Sequence, residues 1–243
     1  MSSYTFTING LQITANFNEK DVDRYFLPIL KTFEKLQKDL NRRIIVYLSA
    51  PPGSGKSTFV YFLENLAKQN NIDLQSIGID GFHFYQEYLD THYLNDSEIL
   101  LSSIKGNPNT FDVHKLKEKI IKLQKENIYW PIYSRTLHNP IEDQIYVSRN
   151  IVLIEGNYLL YNKDQWKDLI KYCDLSIYIN IDSDVLKERL INRKIMGGST
   201  TTEAIEHYEK TDKVNIDLVS NNHYKADIEI VFDENNNVKS FII

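Results

Sequence analysis

A chain of 243 residues is long enough to bury a core without covalent staples, and its single cysteine, Cys173, excludes an internal disulfide framework. The formal charge of −5, from 28 basic and 33 acidic side chains, argues against a nucleic-acid partner. There is no apolar run long enough to span a bilayer and no charged-then-apolar leader, so a reducing, cytoplasmic setting away from membranes is expected.

Tyr4 to Phe17 alternates around Asn9-Gly10, the pattern of a hairpin. Phe26, Ile29, Leu30, Phe33, Leu36 and Leu40 then recur at helical spacing, and Pro28 marks a start or a kink. Residues 1–41 carry no recognisable chemistry. They are expected to form a hairpin-and-helix extension covering one edge of a main domain at 42–243.

Ile44, Ile45, Val46 and Leu48 read as a buried strand that stops at a Pro51-Pro52-Gly53 corner. Lys56, Ser57 and Thr58 then open a helix carrying Phe59, Phe62, Leu63 and Leu66. Strand, tight turn and helix are the context of a phosphate-binding P-loop, here with Ala50 where the motif usually begins with glycine. Pro52, Gly53, Ser54, Gly55, Lys56, Ser57 and Thr58 form the candidate cradle. Backbone amides and a helix N-terminus face a polyphosphate, Lys56 reaches the β- and γ-phosphates, and the Ser57 hydroxyl sits on Mg²⁺.

Leu74 to Ile79 makes a second strand ending in Asp80-Gly81-Phe82-His83, and residues 84–111 read as a polar, aromatic insertion. Asp112 caps a helix through Val113, Leu116, Ile120 and Leu123. Ile128 to Tyr133 leads into a loop, Ser134 to Pro140, and Ile151 to Glu155 is a fully apolar strand ended by an acid. Another strand spans Leu175 to Ile181. Helical spacing follows at Val185, Leu186, Leu190 and Ile191, and it breaks at Gly197-Gly198. Thr200 and Glu203 are spaced as a capping box for a helix through Tyr208, and Ile228 to Ile243 alternates around Glu234 to Asn237 as a closing hairpin. Apolar strands alternating with helices predict an α/β fold, a parallel sheet covered on both faces with ligands at the carboxyl ends of its strands.

In such a sheet Ala50, Asp80 and Glu155 end strands on one edge. Phosphoryl transfer needs a cradled nucleotide, a metal, an in-line acceptor oxygen and positive charge over the equatorial oxygens. Glu155 ends a strand of the Walker-B kind and is placed to hold Mg²⁺ directly or through water. Asp80 is the candidate general base for an acceptor hydroxyl, and His83 a candidate acceptor contact. Tyr133, Arg135 and His138 offer a phenol, a planar cation and an imidazole to a polar acceptor. Arg189 and Arg193, four apart on one helix, read as a lid, with Arg193 the candidate to lean over the γ-phosphate. Each has a plainer alternative: acids end strands in ordinary turns, polar loops are solvated, and Lys187, Glu188 and Lys194 also suit an ordinary charged helix.

The strings SAPPGSGKST, IGIDGFHF, KGNPNTFDV and IVLIEGNYLL, in that order, resemble the phosphoribulokinase/uridine kinase family of P-loop kinases. The resemblance runs from about Arg43 to about Ile230, and the nearest branch is that of nucleoside/nucleotide or fructose-transport-system kinases, with pantothenate kinase a neighbour. It implies a nucleoside-kinase-like P-loop fold, ATP with Mg²⁺, Lys56 and Ser57 on phosphate and metal, Asp80 as base or acceptor ligand, and Arg193 in a lid. It also implies Glu155 and Asn157 beside acceptor or metal. Relatives often read Tyr-Asp in the acceptor loop, where Ser134 stands here, and uridine kinases show Arg-Asp in the lid, where Lys194 and Ile195 stand. The expected function is an ATP-dependent kinase acting on a hydroxyl of a nucleoside, sugar or pantothenate-like small molecule. Because relatives are often dimers or larger, a homodimer is a further expectation. The alternative is a P-loop regulatory NTPase acting on a protein partner; Asn162-Lys163-Asp164-Gln165 misses the guanine-reading pattern because its acid comes one place early.

Overall fold

A six-stranded sheet sets the positions of everything that matters for function. In the computed structural model it has the order β10-β9-β8-β3-β7-β4, formed by β3 (Ile44–Ser49), β4 (Leu74–Gly78), β7 (Ile151–Glu155), β8 (Leu175–Ile181), β9 (Ile228–Phe232) and β10 (Val238–Ile242). All neighbours are parallel except β9 and β10, which form the expected terminal hairpin. The described residues are 2–8 and 11–243, with only the backbone for 2–4, 6–8 and 11–13. The Asn9-Gly10 turn expected from the sequence therefore lies outside them, but β1 (Ser2–Ile8) and β2 (Leu11–Phe17) do pair antiparallel as a separate two-stranded ribbon.

The central strands β3 and β7 are buried on both faces, so their side chains divide between two cores. From β3, Ile44, Val46 and Leu48 join one core while Ile45 and Tyr47 join the other; β7 splits the same way. The first core receives α1 (Leu27–Leu40), α2 (Lys56–Gln69) and, through Leu186 and Leu190, α5 (Ser183–Met196). On the second face lies α4 (Val113–Leu123), capped by the Asp112 side chain, which accepts from the Lys115 amide at 2.9 Å. A short helix α3 (Gln86–Leu89) sits within the 84–111 segment. Pro28 lies inside a continuous helical run from Glu19 to Leu40, directly after a π-helical stretch, Val22–Phe26, where the regular hydrogen-bond ladder is already broken. Phe26, Ile29, Leu30 and Phe33 lie in the same core as β3 and α2. Among the described residues no helix is long and apolar enough to cross a membrane.

Two segments differ from the sequence-based expectation. The loop expected at 134–140 is instead the turn of a ribbon, β5 (Ile128–Ser134) against β6 (Asn139–Val147). Pro131 and Pro140 pointed to a loop, but a ribbon outside the main sheet tolerates proline, and Pro131 sits where the register shifts between Trp130 and Ile132. The capping box at Thr200 and Glu203 forms as expected and opens α6 (Thr201–His207). The chain then stays helical beyond Tyr208, through π-helical Tyr208–Asp212 and α7 (Lys213–Asn221).

The ribbon grips the end of β4. Trp130 is fully buried, and its Nε1 donates to the Gly78 carbonyl at 2.8 Å. The 3-10 turn Asp80–Phe82 lies so close beneath Pro131 that a Cβ on Gly81 would come within 2.5 Å of the proline backbone. A Gly81→Ala substitution should therefore lower the unfolding free energy by about 1–3 kcal/mol, the usual cost of overpacking. Chemical denaturation measures this, and an unchanged midpoint would show that the turn and ribbon are not in such close contact.

Candidate active site

The P-loop follows from where β3 ends. Gly53 and Gly55 both adopt φ of +80°, a region that side chains with a Cβ rarely visit. Gly55 occupies the N-cap of α2 with no side-chain cap, so the first amides of that helix remain for an anion. The Ser54 hydroxyl is buried with no protein partner, the kind of orphan a ligand oxygen satisfies. Leu190 packs on Gly53 so tightly that a Cβ there would meet its Cγ at 2.8 Å, fixing α5 directly against the loop.

Glu155, at the end of β7 beside β3, accepts a hydrogen bond from the Ser57 hydroxyl at 2.6 Å. Two oxygens expected on one Mg²⁺ thus already share a site. Burial pushes the Glu155 carboxyl above its ordinary range; the Lys56 ammonium opposes this, the Asp80 charge adds to it, and the Ser57 bond opposes it. A cation at this point would relieve the cost of a desolvated carboxylate. The residues present therefore fit the metal, and one carboxylate, a hydroxyl and substrate phosphates are the donors Mg²⁺ ordinarily takes.

A cavity of about 660 Å³ opens over the loop. Gly53 to Thr58, Asp80, Arg135, Arg189 and Arg193 all line it, so the sheet does bring the P-loop and Asp80 to one place. Pro52 lies at the loop corner outside the lining. Arg135 reaches the cavity from the β5–β6 turn, which explains how a residue in an apparent loop enters the site.

Arg189 and Arg193 differ in their commitments. Arg189 donates to the Ser54 carbonyl at 3.5 Å, the Glu234 carbonyl at 3.2 Å and Asn236 Oδ1 at 2.9 Å, tying P-loop to the β9–β10 turn. Arg193 lines the cleft one turn further on and is exposed to solvent. Desolvation lowers its pKa, Asp212 and Asp80 raise it, and Arg135 lowers it; of these neighbours Asp80 and Arg135 line the same cavity.

Among the acceptor candidates, the His83 ring lies 3.8 Å from Phe111 and 5.3 Å from Tyr133, and its Nδ1 is 2.9 Å from the Asp80 carbonyl. Burial lowers the His83 pKa, against the pull of Asp80. Lys105 lies 5.1 Å from the centre of the Tyr133 ring. Asn157 follows β7; its backbone carbonyl accepts from Ser49 Oγ at 2.8 Å, while its Oδ1 is buried without a partner. His138 is the outlier: it is exposed in the ribbon turn at φ +51°, and it is the backbone carbonyl that takes a bond, from Lys105. Cys173 is a packed group whose burial raises its pKa to about 12, so it is no nucleophile.

Sequence reasoning missed the cavity's far wall, formed by Thr14 to Phe17 of β2 together with Phe232 and Glu234 to Asn236. The only signal was the Asn-rich turn after a strand, which was read as a hairpin with no link to ligand.

Residues 45–238 match the model of the phosphoribulokinase/uridine kinase family. The chain is 38% identical to the uncharacterized protein YggC of Escherichia coli over 231 residues, covering 94% of each. It is 31% identical to a Schizosaccharomyces pombe protein provisionally named uridine kinase C227.14, covering 77% of this chain and 82% of that one. Among solved structures, a Silicibacter sp. TM1040 protein provisionally named a fructose transport system kinase superposes with a TM-score of 0.71 at 26% identity, covering 81% of this chain and 98% of that one.

Proposed function

The chain belongs to the phosphoribulokinase/uridine kinase family of P-loop kinases, and from that premise we propose that it transfers the γ-phosphoryl group of ATP to a hydroxyl of a nucleoside, sugar or pantothenate-like small molecule. The observation carrying this reading is the shared cavity: a P-loop, the Asp80 carboxylate and three arginines face one space. In the reaction, the acceptor oxygen bonds to the γ-phosphorus, the bond to the β–γ bridging oxygen breaks to leave ADP, and the hydroxyl proton passes to Asp80. Lys56 binds the β- and γ-phosphates, and Arg193 meets the charge that develops on the equatorial oxygens. Ser57 and Glu155 would hold Mg²⁺, which would supply neutralising charge to the phosphates. Tyr133, His83, Arg135 and Asn157 orient the acceptor.

Incubation with ATP·Mg²⁺ and a panel of such metabolites, followed by ³¹P NMR, should show one of them converted. ATP binding with no acceptor phosphorylated across the panel would overturn the kinase reading, and turnover triggered only by a protein partner would favour a regulatory NTPase.

Glu155 gives a separable test. Its pKa in the fold is raised, so its contribution to stability is full below the unfolded pKa and is lost as pH rises through the folded one. At pH 7, well above the unfolded pKa, Glu155 therefore weighs against the ligand-free fold. The Glu155→Gln variant is expected to be no less stable than wild type in urea at pH 7 without ligand. Its Mg²⁺-dependent gain in ATP affinity should fall by about tenfold or more. A variant that loses ligand-free stability yet keeps its metal dependence would remove Glu155 from the metal site.

A further inference from the structure

The geometry points to the N-terminal ribbon as part of the nucleotide site: the β2 segment Thr14–Asn16 forms the wall against which the purine base of ATP lies, a role that rests on the kinase reading and goes beyond it. Three observations support this. First, topology divides the cavity. Asp80 and Glu155 follow β4 and β7, on one side of β3, whereas the Glu234–Asn236 turn follows β9, on the other side. With strands about 4.8 Å apart, β4 and β9 stand roughly 19 Å from each other across the P-loop. A triphosphate held at the loop with its terminal group toward Asp80 therefore carries its nucleoside toward the β9–β10 turn. That is the end of the cavity that β2 closes.

Second, the wall has the chemistry of a base pocket. Phe17, Phe59 and Phe232 line the cavity there, and the Phe59 and Phe232 rings lie edge-on at 5.4 Å. Each ring is nearly buried in the core, so together they give this end of the cavity an apolar floor beneath a planar base rather than open stacking faces. Phe17 is anchored by its stack on Phe62 of α2, with ring centres 3.8 Å apart, so the end of β2 is fixed to the P-loop helix itself.

Third, four consecutive residues of β2 line the cavity, although side chains of a strand alternate between faces. Backbone must therefore face the cavity as well as side chains. Among the described residues β2 pairs with β1 alone, so its other edge carries outward amides and carbonyls at Thr14–Asn16. A strand edge offers a donor and an acceptor side by side, the match for the donor and acceptor along a purine's edge. The ribbon is braced for this by a hydrogen bond between Thr5 Oγ1 and Thr14 Oγ1 at 3.2 Å.

The test compares ATP·Mg²⁺ with inorganic tripolyphosphate·Mg²⁺ by calorimetry on the full chain. Thr14 and Asn16 are exposed residues, and each is replaced separately in Thr14→Trp and Asn16→Trp, which put bulk at the base end and leave the P-loop untouched. The expected result is an ATP Kd about tenfold weaker in at least one variant, with the tripolyphosphate Kd within about twofold of wild type. Unchanged tripolyphosphate binding also shows that the variant is folded. An ATP-to-tripolyphosphate affinity ratio within about threefold of wild type in both variants would overturn the proposal, as would equal loss of both ligands. If wild type itself fails to bind ATP, the kinase reading falls first; if wild type binds ATP and the ratio does not move, only the role of the ribbon falls.

Discussion

Asp80→Asn should cut kcat by about two to four decades, the contribution of a positioned general base, while ATP affinity stays close to that of wild type. The asparagine keeps the size and the turn, so the effect isolates the ability to take a proton. The position is rigid for identifiable reasons. Asp80 starts a 3-10 turn whose next residue, Gly81, lies under the Pro131 backbone. Phe82 packs edge-on against Trp130 at 4.8 Å, and its carbonyl accepts from the Asp112 amide at 2.8 Å. Anchors on both β5 and α4 leave the carboxylate little room to wander. The variant has a second expected signature. Burial is the main reason that Glu155 holds its proton above the usual range, and Asp80's charge adds to it. Removing that charge lowers the Glu155 pKa in the ligand-free fold, so without ligand the variant's loss of stability with rising pH should be complete at lower pH than that of wild type, in denaturation followed across pH. Unchanged turnover in the variant would take Asp80 out of the mechanism.

The parts of this site that could be read in advance are those where local sequence and tertiary role coincide. A P-loop is a contiguous stretch whose glycines, lysine and hydroxyl serve by their own backbone and side chains, so the stretch from Pro51 to Thr58 is legible without the rest of the chain. Asp112 and the Thr200–Glu203 pair are legible because a cap is a contract within a few residues. What was not legible depends on where an element is sent. Nothing local tells that the 128–147 ribbon folds down onto the Asp80 turn and carries Arg135 over the cavity. Pro131 and Pro140 are tolerated in it because the rule against proline applies to central strands and this ribbon belongs to no larger sheet. The helical continuation through Tyr208–Asp212 was hidden by its π-helical geometry, which breaks the 3.6-residue spacing. Likewise Thr14 to Phe17 and Glu234 to Asn236 are more than 200 positions apart and meet only because β9 and the N-terminal ribbon flank the same loop.

The two lid arginines should separate cleanly, and Arg193→Gln is expected to lower kcat by about three decades with little change in ATP Kd, the scale on which an arginine over a transferring phosphoryl group acts. Arg189→Gln should do the reverse, weakening ATP with a smaller effect on kcat. Their surroundings dictate the difference. Arg189 spends its guanidinium on Ser54, Glu234 and Asn236, so its loss loosens the P-loop from the β9–β10 turn. Arg193 instead shares the cavity with Arg135 and Asp80; desolvation lowers its pKa, and the charges of Asp212 and Asp80 oppose this. A desolvated cation with spare hydrogen-bonding capacity gains most when negative charge arrives, and the charge on the equatorial oxygens grows as the phosphoryl group moves. Asp212, whose charge favours the Arg193 cation, has its own close partner in His207, whose Nε2 lies 3.8 Å away. Single-turnover measurement of both variants decides the matter: if Arg193→Gln weakens ATP as much as it slows transfer, that arginine binds the ground state and has no special hold on the moving group.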